Sequence, residues 1–109
     1  MPPDDVDAVF DALADPTRRS VIRLLSEAGP TTATELAGRL PVSRQAVAKH
    51  LTTLSEAGLV AGHRSGREVR YELTAAPLSQ AMSWMADVGG EWDRRLETLR
   101  RHLEAPGRD

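Results

Sequence analysis

The chain has 109 residues, 40% of them hydrophobic and 28% charged, and a formal net charge of −2, enough for one domain with a modest core. It contains no cysteine, which excludes disulfides and thiolate metal sites, and its 4% aromatic content favours helices over a β-sandwich. No run of about 18 apolar residues offers a membrane span, and the opening Met1-Pro2-Pro3-Asp4-Asp5 is acidic where a signal peptide is basic, so a cytoplasmic protein is expected.

Val6, Val9, Phe10 and Leu13 mark a first short helix, with Asp4 and Asp5 at its positive N-terminal end. Asp15-Pro16 reads as N-cap and first residue of a second helix, because proline lacks only an N–H that is unpaired there. Val21, Leu24 and Leu25 give that helix its buried stripe, and Gly29-Pro30 stops it. Thr32-Ala33-Thr34-Glu35 is a capping box opening a third helix, with Leu36, Ala37 and Leu40 inward. Pro41-Val42 breaks it, and the gap to Ser43 suits a helix-turn-helix.

Residues 43–56 carry Val47, Leu51 and Leu54 at i, i+4 and i+7, one stripe of a helix capped by Ser43. Gln45, Lys49 and Thr52 fall on the opposite side, flanked by Arg44 and Ala48. This face is short, polar and cationic, as required of a helix lying in a DNA major groove, where amides and basic groups meet base edges or phosphates. His50 borders the apolar stripe and is expected to be half-buried support within reach of a phosphate.

After Ala57-Gly58, residues 59–64 and 68–73 read as two strands around a Ser65-Gly66 turn, and Arg64, Arg67 and Arg70 cluster near the tip. Such a basic hairpin is placed to run beside a phosphate backbone, and Tyr71 is expected to pack on the sheet. From Pro77 the pattern is helical, with Leu78, Met82 and Met85 expected inward, and Trp92, Leu96, Leu99 and Leu103 repeating at 4, 3 and 4 as a coiled-coil-like seam. Gly89-Gly90 implies a kink, a division or a second backbone packed close, since each glycine costs about 1 kcal/mol in a helix relative to alanine. The tail 105–109 is expected to fray.

Charge is unevenly spread: residues 1–38 carry net −4, residues 39–73 net +3 and residues 74–109 net −1. The central island, rather than the net charge, steers a polyanion. No nucleophile–base–orienter set and no glycine-rich phosphate loop is present, so no enzyme is expected.

This order of elements resembles the ArsR family of bacterial winged-helix repressors over residues 6–103. Three stretches carry the resemblance: Leu13-Ala14-Asp15-Pro16-Thr17-Arg18, Ser43-Arg44-Gln45-Ala46-Val47-Ala48-Lys49-His50-Leu51 and Leu54-Ser55-Glu56-Ala57-Gly58-Leu59-Val60. It implies a mainly α fold with a small β-hairpin, one winged helix-turn-helix domain spanning 1–109. Residues 32–56 would form the helix-turn-helix, 59–73 the wing, and 4–14 and 77–104 the dimerisation helices. It also implies a homodimer that represses transcription by occupying a palindromic operator in double-stranded DNA. By position, Ser43, Arg44, Gln45, Lys49, His50 and Thr52 on the recognition helix and Arg64, Arg67 and Arg70 on the wing are the expected DNA contacts. Val6, Val9, Phe10, Trp92, Leu96, Leu99 and Leu103 are the expected dimer interface, since these stripes exceed what one small core covers.

The metal-sensing members carry Glu-Leu-Cys-Val-Cys on the third helix, where this chain has Glu35-Leu36-Ala37-Gly38-Arg39. The family's other metal site uses Asp and His ligands on the last helix, where only Asp87, Asp93 and His102 are available. No metal, cofactor or membrane partner is therefore expected, and the sequence names no small-molecule effector; Trp84 and Trp92 are read as core or interface rather than a ligand pocket. A protein-interaction module without sequence-specific DNA binding is the competing reading, and the cationic island weighs against it.

Overall fold

A computed structural model describes residues 4–104. The expected tail 105–109 and the side chains of Asp4 and Asp5 lie outside the described residues. The elements run α1 (Asp4–Leu13), α2 (Pro16–Ala28), β1 (Thr31–Thr32), α3 (Ala33–Ala37), α4 (Arg44–Glu56), β2 (Val60–Ser65), β3 (Glu68–Leu73) and α5 (Ala76–Leu103). The sheet is antiparallel in the order β1-β3-β2.

Helix starts follow local chemistry. The Asp15 carboxylate accepts from the Arg18 backbone N–H at 3.0 Å, ahead of Pro16 in the first turn of α2. At α3 the Thr32 hydroxyl accepts from Glu35 N at 3.1 Å while the Glu35 carboxylate accepts from Thr32 N at 3.1 Å, a complete capping box. Ser43 Oγ accepts from Ala46 N at 3.1 Å and opens α4.

The core is built where these helices meet the base of the hairpin. Val9, Ala12, Val21, Leu25, Leu36, Val47, Leu51, Leu54, Leu59, Val60 and Ala81 are buried, with Leu24, Ala37, Leu40, Tyr71 and Leu78 packed against them. The α4 stripe Val47, Leu51 and Leu54 thus faces inward as its periodicity requires, and truncating a buried leucine there costs about 2–5 kcal/mol.

Four expectations need correction. Val9, read as interface, is 1% exposed and belongs to the protomer core, because α1 turns that face onto the neighbouring helices. Met82 (63% exposed) and Met85 (47%) do not face inward; Ala81 is the residue of α5 that reaches the core, and Leu78 packs on its margin. α3 stops at Ala37, leaving Gly38–Ser43 as the connection, because the Arg39 N–H bonds the Leu36 carbonyl three residues back at 3.0 Å and tightens the chain into a turn. The two-residue strand β1, too short to show a period, was not foreseen; it pairs Thr31 with Tyr71 and Thr32 with Arg70.

The hairpin turn is Gly66-Arg67, one residue later than expected, since Ser65 pairs with Glu68. Gly66 has φ +65°, and a two-residue turn with its first central residue at positive φ matches the strand twist and favours glycine there. At Gly62 a side chain would be crowded: a Cβ would sit 3.1 Å from the Tyr71 ring and from Val69 Cγ1, so those side chains would have to give way slightly.

α5 runs unbroken through Gly89 and Gly90, with 28 residues spanning about 42 Å. It leaves the core after its first turns and stretches the protomer to 76 Å. Trp84, Val88, Trp92, Leu96, Leu99 and Leu103 along it are all about half or more exposed. None of the described helices is long and apolar enough to cross a membrane.

Candidate nucleic-acid interface

Because the inner face of α4 is committed to the core, its outer face is dictated by default. Ser43, Arg44, Gln45, Ala48, Lys49 and Thr52 are all exposed and contiguous on one side of the helix. Gln45 and Lys49, one turn apart, lie along its axis, and Ala48 beside them keeps the surface low. Thr52 Oγ1 donates to the Ala48 carbonyl at 3.1 Å and so contributes bulk rather than a free donor.

Arg44 is more constrained than its exposure implies. Its Nε donates to Thr34 Oγ1 at 2.9 Å, which pins the guanidinium beside α3 instead of along the outer face. The pairing of Thr34 with Arg44 is not legible in the sequence, since nothing local marks a threonine ten residues away as a partner. Arg44, Thr34, Arg67 and Val69 border a cleft of about 410 Å³ between the start of α4 and the wing tip. Among the described residues, Arg44, Lys49, Arg64 and Arg67 form no ion pair and all four are exposed.

Arg70 departs from the expected tip cluster. It pairs with His63, two positions back from the turn. Its guanidinium bonds Glu68 at 3.1 Å, lies 3.6 Å from Glu35 and reaches the Pro30 carbonyl at 3.5 Å. The charge is spent on joining the wing to α3. The Thr32 backbone N–H and hydroxyl that donate to Glu35, with Arg70 nearby, hold the Glu35 carboxyl below the usual carboxylate range. His63 is likewise paired across the strands, 3.0 Å from Glu72.

His50 turns inward. Its Nδ1 lies 3.5 Å from Arg18 Nη1 and its Nε2 lies 4.0 Å from Asp15 Oδ2, so the ring faces the start of α2 rather than the outer surface. Asp15 is held below the ordinary carboxylate range by the Arg18 backbone N–H it accepts, with the His50 ring and the Arg18 guanidinium beside it acting in the same direction.

Away from this flank, Val6 and Phe10 are partly buried on α1, and the Phe10 ring meets Trp84 edge-on at 5.6 Å between centroids. Trp92, Leu96, Leu99 and Leu103 are exposed together on α5. Among the described residues no three His, Cys, Asp or Glu side chains gather as a metal site.

Residues 13–63 match the helix-turn-helix domain family. Over 88 residues the chain is 33% identical to the transcriptional repressor SdpR of Bacillus subtilis, covering 81% of this chain and 97% of that protein. The structure of an ArsR-like transcriptional regulator from Rhodococcus sp. RHA1 superposes with a TM-score of 0.77 at 40% identity, covering 93% of each chain. The solution structure of a homodimeric winged helix-turn-helix DNA-binding domain from Mycobacterium bovis shares the fold, with a TM-score of 0.64 at 24% identity over 81% of each chain.

Proposed function

This chain belongs to the ArsR family of winged helix-turn-helix transcriptional regulators, and from that premise we propose that it is a repressor acting as a homodimer seated on a palindromic operator. The observation that carries the DNA reading is the flank just described. An exposed face with Gln45 and Lys49 backs onto a fully buried stripe, and Arg67 of the hairpin turn borders the same cleft as Arg44 at the start of that helix. A helix held this rigidly from behind can present a fixed pattern of donors to base edges. In this reading Gln45 and Lys49 meet bases, Ser43, Arg44, Arg64 and Arg67 hold phosphates, and Thr52 shapes the helix surface.

The dimer reading rests on α5. Leu78, Met82, Met85, Gly89, Trp92, Leu96, Leu99 and Leu103 succeed one another at strictly alternating spacings of 4 and 3, and from Met82 onward the large side chains are exposed. Gly89 lies near the middle of this seam, and a Cβ there would meet nothing within 4 Å in the protomer. A glycine that neither breaks the helix nor serves a contact inside the chain fits close approach by a second copy. Repression follows from occupancy, because a dimer across two adjacent major grooves blocks access to the same DNA.

The test is selection of bound sequences from random duplex DNA, paired with sedimentation of the free protein. A dimer at micromolar concentration that enriches inverted repeats, with half-sites about 10–10.5 base pairs apart or a multiple of this, is expected. A stable monomer that binds tightly, or a dimer that enriches nothing, overturns the proposal.

A further inference from the structure

The side chain that ties the recognition helix to the rest of the molecule is not among those facing outward. Arg18, in the first turn of α2, donates through Nε to the Ala12 carbonyl at 2.6 Å and through Nη2 to the Asp11 carbonyl at 3.1 Å. Both carbonyls belong to the last turn of α1; that of Asp11 also accepts from the Ala14 N–H at 3.2 Å, while that of Ala12 lies among the final carbonyls a helix leaves open. The remaining arm, Nη1, reaches His50 Nδ1 at 3.5 Å. One planar fork therefore holds α1 and α4 at once. An arginine can only donate, so this contact is a hydrogen bond in the tautomer whose Nδ1 accepts, and in that tautomer the Nε2 proton faces Asp15 Oδ2 4.0 Å away. Asp15 is in turn the N-cap of α2. The His50 side chain is 21% exposed and sits on the flank of α4 away from Gln45 and Lys49.

α1 is also the element that lies along α5, through Phe10 and Trp84. The connection from the long exposed seam to the recognition helix thus passes from Trp84 to Phe10, along α1 to its terminal carbonyls, and through Arg18 to His50. We infer that His50 is a positioning residue: with Arg18 and Asp15 it fixes the angle of the recognition helix against the α1–α5 layer, and so the separation of the two recognition helices in a dimer. The buried stripe fixes which face of α4 points inward, but apolar packing is non-directional and constrains the angle of the helix to the α1–α5 layer less closely. A directional bond at its edge tightens that constraint, and it does so without touching DNA.

The inference rests on the DNA and dimer readings above. Full-length protein is measured on the duplex that the wild type selects, on random-sequence duplex, and on versions of the selected duplex with half-sites moved by one base pair. His50→Leu fills similar space without an acceptor, His50→Asn restores an acceptor near the Nδ1 position, and Arg18→Lys keeps charge without a fork. His50→Leu and Arg18→Lys are expected to lose on the order of tenfold of the preference for the selected duplex and to tolerate altered spacing, with His50→Asn recovering most of both. The salt dependence should stay unchanged, and combining the two substitutions should add little. Should His50→Leu not fold, Arg18→Lys and His50→Asn carry the comparison. Equal weakening on all duplexes with a salt slope reduced by about one would make His50 a phosphate contact and overturn the inference, as would unaltered spacing preference. Wild-type protein binding all duplexes alike overturns the DNA reading and this one together; a selective wild type with an equally selective His50→Leu overturns this one alone.

Discussion

Gln45 and Arg67 are both exposed, yet their backbones are held in different ways, and this separates their expected roles. Gln45 projects from a helix locked by Val47, Leu51 and Leu54, whereas Arg67 sits in a two-residue turn at the end of a hairpin. Gln45→Ala is expected to cost about 1–3 kcal/mol on a selected duplex and to relax preference at one position per half-site. Arg67→Ala should weaken binding to all sequences alike and lower the salt slope by about one, read by titration at several salt concentrations. A change of sequence preference in Arg67→Ala, with none in Gln45→Ala, would reverse the assignment. Arg70→Ala should leave the salt slope nearly intact, since Glu68 and Glu35 already neutralise that charge. Asp15 and Glu35 are both held below their ordinary values, so their ionised forms are favoured in the folded state. Their contribution is therefore complete above the unfolded-state carboxylate range near pH 4 and is lost as pH falls through the lower folded values. Thermal unfolding between pH 6 and 2 should show this loss, and Glu35→Gln should show less of it.

At the level of elements, α3 and α5 illustrate opposite routes to stability. α3 has five residues, too few to hold itself, and depends on its capping box and on β1 joining the same threonine to β3. Thr32→Ala is expected to lower stability by about 1 kcal/mol, measured by denaturant unfolding. α5 is long enough to persist, and substituting its glycine shows what it meets. Gly89→Ala should raise helix stability by about 1 kcal/mol if judged on the protomer alone, since no atom lies within 4 Å of the added carbon. In the proposed dimer the same carbon enters a close contact, so dissociation should become easier while the folded protomer becomes harder to unfold. Sedimentation and thermal unfolding of one variant would then move in opposite directions; parallel movement would place the interface elsewhere.

For the molecule as a whole, an apolar stripe on a helix that extends beyond its own core is incomplete in isolation. Leu99 is 53% exposed in the protomer. Leu99→Ala should consequently leave the fold of the helix-turn-helix intact while weakening dimerisation, and in a two-fold dimer the loss occurs twice. Affinity for a selected duplex should fall steeply, because one protomer reads only a half-site. A fully dimeric Leu99→Ala protein with normal affinity would contradict the seam as interface. Zinc should not alter that affinity, since no tetrahedral ligand set is assembled among the described residues. Equal binding in chelator and in micromolar zinc is the expected result, and a zinc-induced loss abolished by His102→Ala would reveal a site on α5.

Whatever depends on neighbours along the chain can be read from the residues alone. The Asp15-Pro16 start, the Thr32–Glu35 capping box, the Val47, Leu51 and Leu54 stripe and the hairpin were legible because capping and periodicity act over at most a few residues. The outer face of α4 followed as the complement of its buried one. Tertiary structure decided which groups were already taken. Arg70 and Arg67 are alike as letters, but only the packing of β3 against β1 and α3 brings two carboxylates to Arg70. His50 and Lys49 are adjacent, but burial against α2 gives the histidine to Arg18. Met82 and Met85 fit an inward stripe by period alone, yet α5 reaches the core at Ala81 and then runs past it, so those side chains stay uncovered. Periodicity specifies that a face is apolar; what covers that face depends on distant residues or on another chain, and no local pattern encodes it.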